Sequence, residues 1–256
     1  MALFVNSGAL QSLRSPPSRK CANRCFPTLA AAEKRPRLPQ LSICTGPSCR
    51  GKSLVTTLRA IVPESEPYII PAGCLGECGN GPNVVVDTHE PMGAYVQTHI
   101  SSLNKAVELL TKLQFQVDEQ ILIAAREKEQ GDDLLRADKE LDAVLHYEKA
   151  LAHVNNCDES TQMRVQDFTI AILCNSAQSS VNTSAYRKAL SLVNNVIEIQ
   201  PQCASAWKWK ARAHEGLRDF NMASSSWKMW GKLSGKHDEA KKQISRFTGW
   251  RAFLLG

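Results

Sequence analysis

Two cysteine pairs have the spacing to hold a metal centre. Cys44 and Cys49 stand in CTGPSC, and after 24 intervening residues Cys74 and Cys78 stand in CLGECGNGP. Four thiolates converging from two loops are the donor set of an iron–sulfur cluster. Pairs separated by two to four residues also suit a closed structural zinc site. Disulfides would be read from such spacings in a small secreted domain, and nothing here suggests secretion. A thiol–disulfide exchanger would present C-x-x-C after its first strand, whereas this chain has four residues between Cys44 and Cys49.

The elements between the pairs must bring them together. Leu54, Val55, Leu58, Ile61 and Val62 have helical spacing, Leu41 to Cys44 reads as a strand, and Tyr68 to Pro71 reads as another. A strand–helix–strand unit is right-handed with parallel strands, so the loops leaving both strands emerge at one sheet edge. Gly46, Gly73, Gly76, Gly79 and Gly81 allow close backbone approach, and amides in such loops can donate to anionic sulfur. Beyond Cys78, Val84 to Thr88 reads as a strand and Ala94 to His99 as its hairpin partner. Ser102 to Leu113 reads as a helix, with Leu103, Val107, Leu110 and Leu113 on one face.

The C-x4-C pair, the CLGECGNGP run and the Val84-Val85-Val86 strand give this segment a specific likeness. Residues 41 to about 113 resemble a thioredoxin-like 2Fe-2S ferredoxin, the family that includes one small subunit of respiratory complex I. The resemblance implies a 2Fe-2S cluster as cofactor, with Cys44, Cys49, Cys74 and Cys78 as its ligands; zinc is the alternative occupant. It covers a little over a quarter of the chain.

The 256 residues allow two domains plus an extension. The first 40 residues hold seven Lys and Arg (Arg14, Arg19, Lys20, Arg24, Lys34, Arg35, Arg37) and one acid, Glu33. They therefore carry the whole formal charge of +6, and the remainder is neutral. That distribution argues against a nucleic-acid partner. An acid-poor leader with interspersed Arg and Ser fits an organelle transit peptide, expected over residues 1–38 and disordered before import. Its Met-Ala start and Ser/Pro content point to the chloroplast, with the mitochondrion as the alternative. Cys21 and Cys25 repeat the C-x3-C spacing without the glycines and are read as coincidence. No segment has the roughly 18 uninterrupted apolar residues of a membrane span. A Walker loop, a dinucleotide fingerprint and a nucleophile elbow are absent, so no catalytic residues are assigned. His89 and His99 are read as turn or strand residues.

The second half carries an internal repeat. Ala143, Tyr147, Ala150 and Leu151 form A-x-x-x-Y-x-x-A-L, with Gly131 twelve positions earlier. Ala223 follows Trp207 by 16 residues and Ala189 by 34, and Pro201 ends the second unit. These offsets resemble the 34-residue tetratricopeptide repeat (TPR), in which small residues let two helices cross closely. The resemblance implies three repeats over 118–237 and a capping helix over 238–256, centred on Lys241 to Leu255. The interval from Ala143 to Ala189 is 46 rather than 34, which predicts an insertion near Asn155 to Val165 as a loop or lengthened helix. The fold class expected is therefore multidomain: an α/β thioredoxin-like ferredoxin domain over 39–115, followed by an all-α TPR solenoid.

Some tetratricopeptide domains grip the acidic C-terminus of heat-shock chaperones. Lys128 and Asn175 match two clamp positions of that kind, while Asp132, Ser205 and Trp209 depart from the other three. Asp132 places negative charge where a carboxylate should bind, so no chaperone-tail binding is expected. Trp207 and Trp227 occupy repeat-core positions, whereas Trp209 and Trp230 are expected to be freer and to offer a partner contact. Cys157, Cys174 and Cys203 lack ligand spacing and read as packing residues. The expected function is an organellar cluster-binding electron carrier or redox adaptor that docks a protein through its repeats. The alternative is a TPR scaffold whose cluster or zinc only braces a small fold.

Overall fold

The structure is a computed structural model that describes residues 38–46, 49, 51–63, 68–75, 81–88 and 93–254, with side chains described as far as 247. Residues 1–37 of the expected transit peptide, Cys78 and His89 lie outside the described residues. Leu38–Gly256 forms one unit.

Four short strands, β1 (Gln40–Cys44), β2 (Ile69–Ala72), β3 (Val84–Asp87) and β4 (Ala94–Gln97), form a sheet in the order β2-β1-β3-β4. Alternation buries Leu41 and Ile43 of β1 and Val84 and Val86 of β3 completely. The β1–β2 pair is parallel, with Leu41 opposite Ile69 and Cys44 opposite Ala72. β3 runs antiparallel to both β1 and β4. Between the parallel strands, helix α1 (Gly51–Ile61) buries Val55, Leu58 and Ile61. Helix α2 (Leu103–Lys112) begins at Ser102, whose side chain accepts from the Lys105 N–H. The expected strand–helix–strand, hairpin and helix all occur, with ends moved by one or two residues. β4 stops at Gln97 because His99 turns the chain at φ 60°.

Among the described residues, eight helices follow. Three hairpins are α3 (Glu119–Arg136) with α4 (Glu140–Asn155), α6 (Gln166–Asn182) with α7 (Tyr186–Ile199), and α8 (Ala204–Gly216) with α9 (Phe220–Ser234); α10 (His237–Leu254) closes the array. Each hairpin turns at a non-glycine residue of positive φ, Asp138, Ser184 and Arg218. Those residues are 46 and then 34 apart, the same intervals that separate the fully buried Ala143, Ala189 and Ala223. Tyr147, Val193 and Trp227 occupy one buried register position, and Ala150, Val196 and Trp230 another. Gly131 is required where α3 crosses α4, since a Cβ there would stand 2.7 Å from Tyr147 Cε1. The helical half is thus an array of three helical hairpins that repeat one buried register, as the repeat offsets predict. At its end, Ala240 and Phe247 of α10 pack on Trp227 and Trp230.

The extra residues of the long interval form a short helix, α5 (Glu159–Arg164), whose N-cap Asp158 accepts from the Thr161 N–H. Arg164 at its end donates to the Ala60 carbonyl of α1 and, at 2.7 Å, to Asp118 Oδ2. A cation there faces the negative end of α1. Asp118 N–H in turn donates to the Ile61 carbonyl at 2.7 Å. The insertion therefore fastens the repeats to the α/β half. One hydrophobic core runs from Leu41 and Ile43 through α1 and α2 to Ile121, Tyr147, Phe168 and Ile172, so the expected boundary near 115–118 interrupts the chain's elements but not its core.

Candidate functional site

The parallel register ends at Cys44 and Ala72, so the chain leaves β1 toward Cys49 and leaves β2 toward Cys74 at the same edge. Thr45 joins the two exits: its N–H donates to the Ala72 carbonyl at 3.0 Å and its hydroxyl donates to the same oxygen at 2.6 Å. Cys44 is 1% exposed, Cys49 half-buried and Cys74 exposed. Cys44 Sγ lies 3.4 Å from Cys49 Sγ. The Cys44 thiol is held below its ordinary range mainly by N–H donation from Gly46 and then Leu75; burial opposes this, and hydrogen bonds from Cys49 and Cys74 add to it. The glycines keep this space clear. A Cβ on Gly46 would stand 3.6 Å from Cys74 Sγ, and one on Gly81 would stand 2.8 Å from Cys49 Sγ. A Cβ on Gly51 would overlap the Cys44 carbonyl oxygen.

Thiolate donors, amide N–H groups aimed at sulfur and glycine-cleared space are the chemistry an iron–sulfur cluster or zinc requires. Among the described residues, no group of three or more Cys, His, Asp or Glu side chains closes to metal-binding spacing.

A cavity of about 930 Å³ lies beside these loops. Cys49, Gly46 and Gly81 line one wall, and Lys128, Asp132 and Asn175 of the inner repeat helices line the other. Lys128, 4% exposed, donates to Asp132 Oδ2 at 2.6 Å and to Ser53 Oγ of α1 at 3.4 Å. Asp132 Oδ1 accepts from Tyr147 Oη and from Asn175 Nδ2, each at 2.8 Å. Burial, and then the adjacent Asp132 charge, push the Tyr147 phenol far above its ordinary range and keep it a neutral donor. Lys128 and Asn175, read from the sequence as partner contacts, are thus engaged by Asp132 in a network that α1 reaches.

The tryptophans divide differently from expectation. Trp230 is 6% exposed and meets Trp227 edge-on at 5.1 Å. It is a core residue rather than an edge contact, because it occupies the register position of Ala150 and Val196; that alignment is the signal that could have placed it. Trp207, expected in the core, is only half-buried, with Nε1 donating to the Pro201 carbonyl at 2.8 Å. Trp209 is half-buried against the second-repeat core, with Lys208 Nζ 4.8 Å from its ring centre. It stands 34 residues after Asn175, at the matching register position on the first helix of the next hairpin. Sequence reasoning missed Glu129, which accepts from the Leu103 N–H at 2.8 Å, and Arg164. Neither carries a local signal, since each acts on a distant segment.

No family model matches the chain. Among solved structures, it is similar to the Arabidopsis OM64 TPR domain, with 17% identity, a TM-score of 0.41, and coverage of 48% of this chain and 92% of that one. The C-terminal TPR-containing domain of a Plasmodium falciparum FK506-binding protein gives 16% identity, a TM-score of 0.48, and coverage of 54% and 93%. The first TPR of Spaghetti, solved with an HSP90 peptide, gives 17% identity, a TM-score of 0.42, and coverage of 51% and 94%. The repeat architecture rests on the register of this chain's own helices. No described helix is long and apolar enough to cross a membrane.

Proposed function

We propose that this protein is a protein-docking adaptor, with repeats that bind a partner protein and cysteine loops that hold a 2Fe-2S cluster where the α/β half meets the repeats. The observation that carries this reading is the shared cavity, in which Cys49 faces the inner repeat helices α3 and α6. Cys44, Cys49, Cys74 and Cys78 would be the ligands. Bound there, the cluster would supply one-electron chemistry or simply brace the loops. The protein's own part is to keep Cys44 as thiolate through the Gly46 and Leu75 N–H groups and to anchor both loop exits through Thr45. The acid-poor leader supports import into a chloroplast, with the mitochondrion as the alternative.

A second reading, electron carrier, is favoured by the half-buried Cys49 at the cavity wall, which leaves an approach to one edge of the site. Residues 38–256, purified without oxygen, should be brown, with stoichiometric iron and sulfide and a reducible two-iron electron paramagnetic resonance signal that Cys74→Ser removes. Reversible mid-range reduction would favour the carrier. Stoichiometric zinc without iron would leave a structural adaptor, and disulfide reductase activity lost in Cys44→Ser would replace both readings by a thiol enzyme.

A further inference from the structure

Outside the loops just described, two cysteines that the sequence presents as unrelated packing residues meet in space. Cys174 lies on α6, the inner helix of the second repeat, and is 6% exposed. Cys203, half-buried, is the N-cap residue of α8, the inner helix of the third. Both are unbridged thiols, and their sulfurs are 3.9 Å apart. The backbone around Cys203 is well anchored: its N–H donates to the Gln200 carbonyl at 3.0 Å, and its own carbonyl accepts from the Ala206 N–H at 3.1 Å. Both side chains pack in the core formed by Ile170, Ala177, Val193 and Val196, which Trp209 also touches.

We propose that Cys174 and Cys203 are a redox-active dithiol that a small disulfide oxidises to an intramolecular disulfide, linking the second repeat to the third. Three features assign the order of events. Cys203 is the more accessible sulfur. Its thiol is drawn down by its hydrogen bond with Cys174, which burial opposes and N–H groups of Ala206 and Ser205 at the start of α8 reinforce. Cys174, by contrast, is pushed up by its hydrogen bond to Cys203 and by burial, and stays protonated. The Cys203 thiolate attacks one sulfur of the small disulfide; a mixed disulfide forms and the other sulfur leaves as a thiolate. That thiolate takes up the Cys174 proton. The Cys174 thiolate then attacks Cys203 Sγ and expels the second small thiolate, which takes from water the proton that Cys203 released on ionising. One disulfide is reduced to two thiols, and the protein loses two hydrogens. Closure needs the sulfurs to approach from 3.9 Å to bonding distance, about 2.05 Å. The bond would fix α6 against the N-terminus of α8 beside Trp209, at the junction where the repeat surface continues beyond the α/β half.

The full-length chain, equilibrated without oxygen in mixtures of glutathione and glutathione disulfide, would be acid-quenched, unfolded, alkylated and mapped by peptide mass spectrometry. Cys174 and Cys203 should lose alkylation together and yield a cross-linked peptide 2 Da lighter than the two thiol peptides, reversed by dithiothreitol. Cys174→Ser, which keeps a hydroxyl beside Cys203 but cannot close the bond, should convert this to a glutathione adduct on Cys203, at least tenfold more abundant than on Cys157, whose thiol burial raises. Both thiols remaining alkylatable at every ratio would overturn the proposal. So would a glutathione adduct on wild-type Cys203 without the cross-link, or a cross-link formed only in denaturant. The wild-type mapping decides the matter even if the variant fails to fold, and peptides of Cys44 to Cys78 report separately on the proposed cluster ligands.

Discussion

The two walls of the cavity handle charge in opposite ways. On the cysteine wall, backbone N–H groups point at sulfur and glycines hold space open, so negative charge is stabilised by donors that carry no charge of their own. On the repeat wall, charge is matched by charge: Lys128 and Asp132 form an ion pair, and Tyr147 and Asn175 complete the carboxylate's hydrogen bonds. A wall of neutral donors and cleared space stabilises a thiolate without a counter-charge. A wall of mutually satisfied charges has little left to offer an incoming ion. The lysine and the asparagine at clamp positions are each held by the aspartate that stands between them.

The largest expected effect tests the first wall. Gly51→Ala drives a Cβ into the Cys44 carbonyl, a backbone atom that cannot rotate away. It should cost about 3 kcal/mol or more in urea denaturation and abolish metal loading; wild-type metal content in this variant would break the comparison. The second wall is tested by Asp132→Ala, which leaves a nearly buried Lys128 without its counter-ion. About 3 kcal/mol should be lost, while the double variant Lys128→Met with Asp132→Leu should recover most of it. Equal losses in the single and double variants would mean that packing, not charge, holds that wall.

Because the clamp positions are internally paired, a peptide ending in acidic residues and a free carboxylate should bind more weakly than 1 µM, a limit of about −8 kcal/mol. Isothermal titration showing micromolar affinity would reopen the chaperone-tail reading. The smallest effect belongs to neither wall. His214 of α8 is buried, and burial lowers its pKa from 6.5, with Asp219 opposing. The unfolded chain then binds more protons between the folded value and 6.5, so stability is full above that window and is lost as pH falls through it. Thermal melting should decline on acidification below about pH 6.5, and His214→Gln should flatten that part of the profile.

Much of this was legible in the residues. Leu41, Ile43, Val84 and Val86 alternate, and helical spacing between Leu54 and Val62 implies the crossover that sends both cysteine exits to one edge. Ala143, Ala189 and Ala223 revealed the repeat and the size of its interruption. Trp230 was misplaced because residue type was weighed above register. Asp132 was read only as a charge hostile to a ligand, because its partners Tyr147 and Asn175 lie 15 and 43 residues away. Cys78, the fourth member of the cysteine set, lies outside the described residues.

By itself, the sequence determined which faces are apolar, where the strands and helices of the α/β half lie to within one or two residues, and that two cysteine loops leave parallel strands together. These follow from local periodicity and from the handedness of L-amino acid chains. Tertiary structure alone decided that the sheet and first repeat share one core, that Arg164 clips α5 to α1, that Cys49 and Lys128 line one cavity, and that Cys174 meets Cys203. Each joins segments whose separation along the chain carries no period. Their meeting is selected by the close packing of whole surfaces, where volume must be filled and buried charge must find its partner.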